Sequence, residues 1–107
     1  MIVKKDSKEP ACPAEVTLNV IGGRWKAVII YWLREGTQRF GDLHRLIPSA
    51  TQQMLTQQLR QLERDGIVHR EVYREVPPKV EYSLTELGRS LSPILDALCD
   101  WAEKLEV

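Results

Sequence analysis

Apolar positions recur along this chain at three- and four-residue steps and change to alternation in one region only, after Gly66. That spacing predicts helices around a single hairpin. After Cys12-Pro13-Ala14-Glu15, the residues Val16, Val20 and Ile21 form the apolar face of a short helix. Pro13 suits its first position, Glu15 suits the positive end, and Gly22-Gly23 stop it. Trp25, Val28, Ile29, Trp32 and Leu33 predict a second helix with a wide buried face, closed at Glu35-Gly36. Thr37-Gln38-Arg39 is too short for an independent strand and is expected at a sheet edge. Phe40, Leu43, Leu46 and Ile47 mark a two-turn third helix with Pro48 beyond its end. Ser49-Ala50-Thr51 is then a tight connection in which Thr51 caps the next helix.

That fourth helix, Gln52 to Arg64, is the most informative part of the chain. On a wheel of about 100° per residue, Leu55, Leu59 and Leu62 fall together and face inward. Gln53, Gln57, Arg60 and Arg64 lie opposite, with Thr56 and Gln61 on the flanks. Solvated helices usually carry Glu and Lys outside, which propagate helix and pair across a turn. Gln, Thr and Arg instead carry the donors and acceptors that read base edges. Two helices joined by a short turn, the second amide-rich, form a helix-turn-helix. Gln53, Thr56, Gln57 and Arg60 are therefore the base-contact candidates, and Gln52 a phosphate contact at the helix start. Arg64 is assigned to solvent. Taken alone, the same face is also what a neutral helix surface would show.

Beyond Asp65-Gly66, the runs Val68 to Tyr73 and Val80 to Leu84 alternate, separated by Arg74-Glu75-Val76-Pro77-Pro78-Lys79. This is a hairpin with a stiff tip, a wing, whose Arg74 and Lys79 flank the tip and face phosphates or the minor groove. A last helix begins after Thr85. Its Leu87, Leu91, Ile94, Leu98, Trp101 and Leu105 step by four and three like a heptad seam. So broad a stripe exceeds what one small domain covers, and a second copy packing its last and first helices across a two-fold axis is the simplest occupant. Leu91, Ile94, Leu98, Trp101 and Leu105 are the expected dimer contacts.

At 107 residues the chain is expected to be one domain, residues 11–107, after a flexible tail over residues 1–10. The segments 11–22 and 85–107 are its dimerisation helices. The fold class is α+β, mainly helical: a winged helix-turn-helix. No apolar run is long enough for a membrane span or secretory signal, so a cytoplasmic protein is expected. The formal charge is zero, which argues against nucleic acid until its distribution is read. Arg24 to Lys79 holds ten basic and six acidic residues, a net of +4, whereas Val80 onward holds two basic and six acidic, a net of −4. The basic excess lies around the fourth helix and wing, where phosphates would be met.

Other chemistry is sparse. No phosphate loop, nucleophile motif or metal-ligand cluster is present, which argues against an enzyme and against a cofactor or metal. His44 and His69 each lack a partner at zinc-ligand spacing. Trp25, Trp32 and Trp101 read as core and dimer packing. Cys12 opens the first helix, where the positive helix end favours an oxidisable thiolate, although a small residue without chemistry would look the same. Cys99 reads as inert core or interface.

Taken in order, Cys12-Pro13, Gly22-Gly23-Arg24-Trp25, Arg39-Phe40 with Leu43, Met54 to Leu59 with Leu62-Glu63, Asp65-Gly66, Val76 to Thr85 and Gly88 resemble the HxlR-type bacterial transcriptional regulators. These are winged helix-turn-helix proteins related in architecture to MarR proteins. The resemblance runs from Cys12 to about Trp101. It implies a homodimer on a palindromic operator in double-stranded DNA, with an oxidant or small-molecule effector in some members through a cysteine near Cys12. It also supports Arg39 as a backbone contact beside Thr51 and Gln52, the four reading residues, and Arg74 and Lys79 on the wing. Where the family usually has Ile-Ser before the reading helix, this chain has Ala50-Thr51, and the smaller Ala50 is expected to anchor the turn less well. The rival reading is a winged helix that docks proteins and does not bind specific DNA. Steeply salt-dependent binding of random duplex separates the two.

Overall fold

The structure, a computed structural model, describes residues 12–105, and the expected tail over residues 1–10 lies outside the described residues. Six α-helices and three strands run in the order α1 (Pro13–Ile21), α2 (Lys26–Leu33), β1 (Gln38–Arg39), α3 (Phe40–Leu46), α4 (Gln52–Arg64), β2 (Val68–Tyr73), β3 (Lys79–Leu84), α5 (Glu86–Arg89) and α6 (Ser92–Ala102). A 3₁₀ turn, Glu103–Leu105, follows α6. None of the described helices is long and apolar enough to cross a membrane.

Leucine and isoleucine from every large helix meet in one core. Ile29, Ile30, Leu43, Leu55, Leu59 and Leu62 are almost completely buried. α4 reaches it with the stripe its wheel predicts. α2 differs from the expected face: Ile30 is buried while Val28 is exposed, because the helix is covered by α1, α3, α4 and α6 at several angles. Leu46 is likewise exposed at the end of α3, and Ile47 turns inward in its place.

The sheet is antiparallel in the order β1-β3-β2. β1 pairs Gln38 with Tyr82, so the short segment does form an edge strand. β2 and β3 pair from Val68 opposite Leu84 to Tyr73 opposite Lys79. The alternation expected of β2 is not matched by alternating burial. Only Val68 is buried in that strand, and Val72 and Tyr73 stand exposed, because β2 is an outer strand that runs away from the core toward the hairpin tip. At the wing base, Gly66 adopts φ +75 after α4. Thr85 ties the far end back: its backbone N–H donates to the Ile67 carbonyl at 3.0 Å, and its Oγ1 accepts from the Gly88 N–H at 3.0 Å.

The C-terminal segment departs most from the expected continuous heptad seam. α5 ends after four residues, and α6 restarts with Pro93 in its first turn. Proline lacks the N–H that would continue the helix and sterically opposes the preceding turn, while it fits a new helix start. The chain therefore bends at Ser90-Leu91. As a result, Leu91, expected as a dimer contact, is buried in the subunit's own core together with Leu95. Leu87 is exposed on a different helix, and the outward face of the last segment reduces to Ile94, Leu98, Trp101 and Leu105. Arg34 joins α2 to α6 through Asp96 Oδ1 at 2.7 Å and Ser92 Oγ at 3.0 Å.

Candidate nucleic-acid interface

The turn between α3 and α4 is held by local hydrogen bonds. At the far end of α3, its first turn is capped where the Arg39 N–H donates to Asp42 Oδ2 at 3.1 Å, and Asp42 also pairs with Arg45. At the end of the connecting turn, Thr51 Oγ1 accepts from the Met54 N–H at 3.1 Å, the cap its sequence position predicts. Ala50 does not weaken the turn in the way its size suggested. It is buried, its N–H donates to the Ile47 carbonyl at 3.2 Å, and its own carbonyl accepts from His44 Nε2 at 3.0 Å. A small residue fits the packed turn, and His44 supplies the anchor. That bond requires a proton on Nε2.

With the turn fixed and Leu55, Leu59 and Leu62 inside, the other side of α4 faces out along about 20 Å, the length of 13 residues at 1.5 Å each. Gln52, Gln53, Thr56, Gln57, Arg60, Gln61 and Arg64, with Phe40 of α3, line one open trough of about 850 Å³. All four expected reading residues are brought together there, with Gln52 beside them. Arg64 lines the trough too, although the wheel assigned it to solvent. The trough lining contains two guanidiniums, several amides and a hydroxyl, and no carboxylate. Arg39 is exposed and immediately precedes Phe40.

The wing divides its two expected cations. Arg74 is exposed at the tip, where Val76 is fully solvent-exposed. Lys79 is drawn back: its Nζ lies 4.4 Å from the Tyr73 ring centroid and 3.9 Å from Glu81 Oε2. The Glu81 charge raises the Tyr73 phenol pKa, with burial adding to it. A residue missed from sequence is Arg70 on β2. Its Nε donates weakly to Glu63 Oε1 at 3.4 Å, and it shares a smaller recess with Thr56, Arg60 and Tyr82. Its register opposite Tyr82 turns it toward α4, which no local pattern announces.

Cys12 is exposed at the N-cap of α1, and its carbonyl accepts from the Glu15 N–H at 2.8 Å. Cys99 is exposed as well, which excludes the core half of its expected core-or-interface position. It borders an apolar groove with Val28, Tyr31, Trp32, Leu95 and Leu98. Trp25 and Trp32 are half-buried against the core, whereas Trp101 is exposed. Among the described residues no cluster of His, Cys, Asp and Glu is arranged to hold a metal.

The family model described as HxlR-like helix-turn-helix matches residues 20–106. The HTH-type transcriptional regulator YdeP of Bacillus subtilis is 58% identical over 93 residues, covering 87% of this chain and 73% of that protein. A relative from Methanothermobacter thermautotrophicus, also an HTH-type transcriptional regulator, is 54% identical over 95 residues, covering 89% and 72%. Among solved structures, the redox regulator HypR in its oxidised form superposes with a TM-score of 0.82 at 59% identity, covering 87% of this chain and 96% of that one. The reduced form of the transcriptional regulator YodB from B. subtilis superposes with a TM-score of 0.78 at 38% identity, covering 88% and 94%.

Proposed function

This chain belongs to the HxlR-like helix-turn-helix family of transcriptional regulators, and from that premise we propose that it binds a palindromic operator as a homodimer, with α4 of each subunit in the major groove. The observation that carries this reading is the carboxylate-free trough along α4, lined by Gln53, Thr56, Gln57, Arg60 and Arg64. Glutamine offers a paired donor and acceptor to adenine, and arginine a fork to guanine. A carboxylate in their midst would oppose the phosphate field. Thr51 and Gln52 meet the backbone at the helix start, where N–H groups are free. Arg39, Arg74 and Lys79 extend the same cationic side. Lys79 must leave Glu81 and Tyr73 to reach a phosphate, so Arg74 is the stronger wing contact.

Selection of bound sequences from a random duplex pool tests this directly. A palindrome with half-sites about one helical turn apart is expected. Arg60→Ala should lose about 1–3 kcal/mol of discrimination at one base position. Lys79→Ala should weaken all duplexes alike and flatten the dependence on salt. A pool that yields no enriched sequence, or an Arg60→Ala protein with unchanged selectivity, rejects the assigned face.

An oxidant response through Cys12 belongs to the same proposal. Its thiol is exposed at a helix start, and the similar HypR is described as a redox regulator. Operator binding by the parent protein is expected to change after peroxide or quinone treatment, and binding by Cys12→Ser is expected to stay constant. Equal responses of the two proteins remove Cys12 as the sensor.

A further inference from the structure

Behind the reading head, where the end of α2 meets β3 and the α5–α6 junction, lies a recess of about 360 Å³. Its floor is apolar, made by the buried Leu33 and Leu84, and its walls carry Arg34, Arg89, Ser83 and Ser92. None of the residues lining it is acidic. The Arg34 side chain is only 23% exposed, and its guanidinium lies 4.8 Å from the Tyr31 ring centroid. Its described polar contacts, to Asp96 and Ser92, both use Nη1. Arg89 likewise uses Nη1, donating to the Leu84 carbonyl at 2.9 Å. Each guanidinium has five N–H donors, so these contacts position both groups and leave donors for a guest.

We propose that this recess binds a small amphipathic carboxylate, its anionic head met by Arg34, Arg89 and the serine hydroxyls and its apolar body on Leu33 and Leu84. The volume lies at the small end of ligand cavities, about 300–1,000 Å³, and suits a one-ring acid. Two positioned arginines favour an anion. The leucine floor disfavours a fully hydrated ion such as phosphate, because burying that surface calls for an apolar partner. The head would compete with Asp96 for Arg34, the side-chain tie between α2 and α6. Occupancy would then loosen α6, whose outer face carries Ile94, Leu98 and Trp101. This regulatory consequence rests on the dimeric, DNA-binding reading above, whereas the binding itself does not.

Calorimetry on the full chain without DNA, using benzoate, benzamide and inorganic phosphate, tests the site. Benzoate is expected to bind saturably at one site per chain, with benzamide weaker by about tenfold or more for want of the charge. Phosphate should also bind more weakly than benzoate. Arg89→Gln should weaken benzoate by about tenfold, and Ser83→Leu, which fills the recess from a different element, should abolish its binding. Circular dichroism verifies that each variant is folded. No benzoate binding, equal binding of benzamide or phosphate, or parent-like benzoate binding by either folded variant overturns the proposal. Operator binding is then measured with and without saturating benzoate. A shift supports the link through α6, and unchanged affinity overturns that link. Failure to bind any operator would reject the DNA-binding reading and leave the calorimetric result standing.

Discussion

For the proposed dimer, Leu98→Glu is expected to leave the chain folded, to make it sediment as a monomer, and to weaken binding to the proposed palindromic operator by at least about a hundredfold relative to the parent. Leu98 is 49% exposed, on the same outward face of α6 as Ile94 and Trp101. The core beneath it is closed by Leu91 and Leu95. A polar replacement therefore removes little of the subunit's own stability. Across the two-fold axis of the proposed dimer the consequences differ, because the same patch would meet itself and each carboxylate would face an apolar surface or its own symmetry mate. Burying an unpaired carboxylate is strongly unfavourable. Once the subunits separate, each half-site must be bound alone, and the gain from a second tethered contact is lost. Sedimentation velocity and titration of a whole and a half operator check both halves of the expectation. A Leu98→Glu protein that remains dimeric would place the dimer contact elsewhere than this face of α6.

The elements of the proposed reading head are legible in sequence because their information is local. Leu55, Leu59 and Leu62 define one side of α4 by spacing alone, Thr51 caps it through an oxygen three residues from the donor, and the Gln-rich face follows by geometry. Gly66 and the prolines between β2 and β3 mark the wing in the same way. What was not legible depends on contacts distant in sequence. Arg70 reaches the α4 side through strand register, and Lys79 is held by Glu81 and Tyr73 across the hairpin. His44 anchors the turn through a carbonyl six residues away, which a search for metal-ligand spacing passes over. The C-terminal seam is a different case. Pro93 is a local signal of the break, although the four-three stepping of Leu87, Leu91, Ile94 and Leu98 runs straight across it. The bend it makes sends Leu91 inward and narrows the exposed face. The cationic recess between α2 and α6 has no signature at all, since Arg34 and Arg89 meet only after the sheet and two helices have assembled.

Gly88→Val is expected to lower the unfolding free energy by about 3 kcal/mol, a large part of the 5–15 kcal/mol typical of a domain. Glycine inside a helix ordinarily invites replacement, since alanine propagates helix better by about 1 kcal/mol. Here the sign reverses. A Cβ at position 88 would lie 2.3 Å from the Ile67 carbonyl oxygen and 3.2 Å from Leu84 Cδ2. The first of these is backbone and is not free to retreat: the same oxygen accepts from the Thr85 N–H at 3.0 Å, and Thr85 Oγ1 donates to the adjacent Gly66 carbonyl at 2.6 Å. Thr85 also caps α5 by accepting from the Gly88 N–H. Relief of the clash must therefore move α5 off the wing base and break bonds that join the end of β3 to the exit of α4. Valine adds two methyls to that displacement and, being β-branched, gains less helix propensity over glycine than alanine does. Urea unfolding followed by circular dichroism gives the measurement, with a lower midpoint and an unchanged slope expected. Gly88→Ala isolates the Cβ itself, and if it proves more stable than the parent, helix propensity outweighs the contact with Ile67 and the close approach of α5 to the wing base is not what requires glycine there.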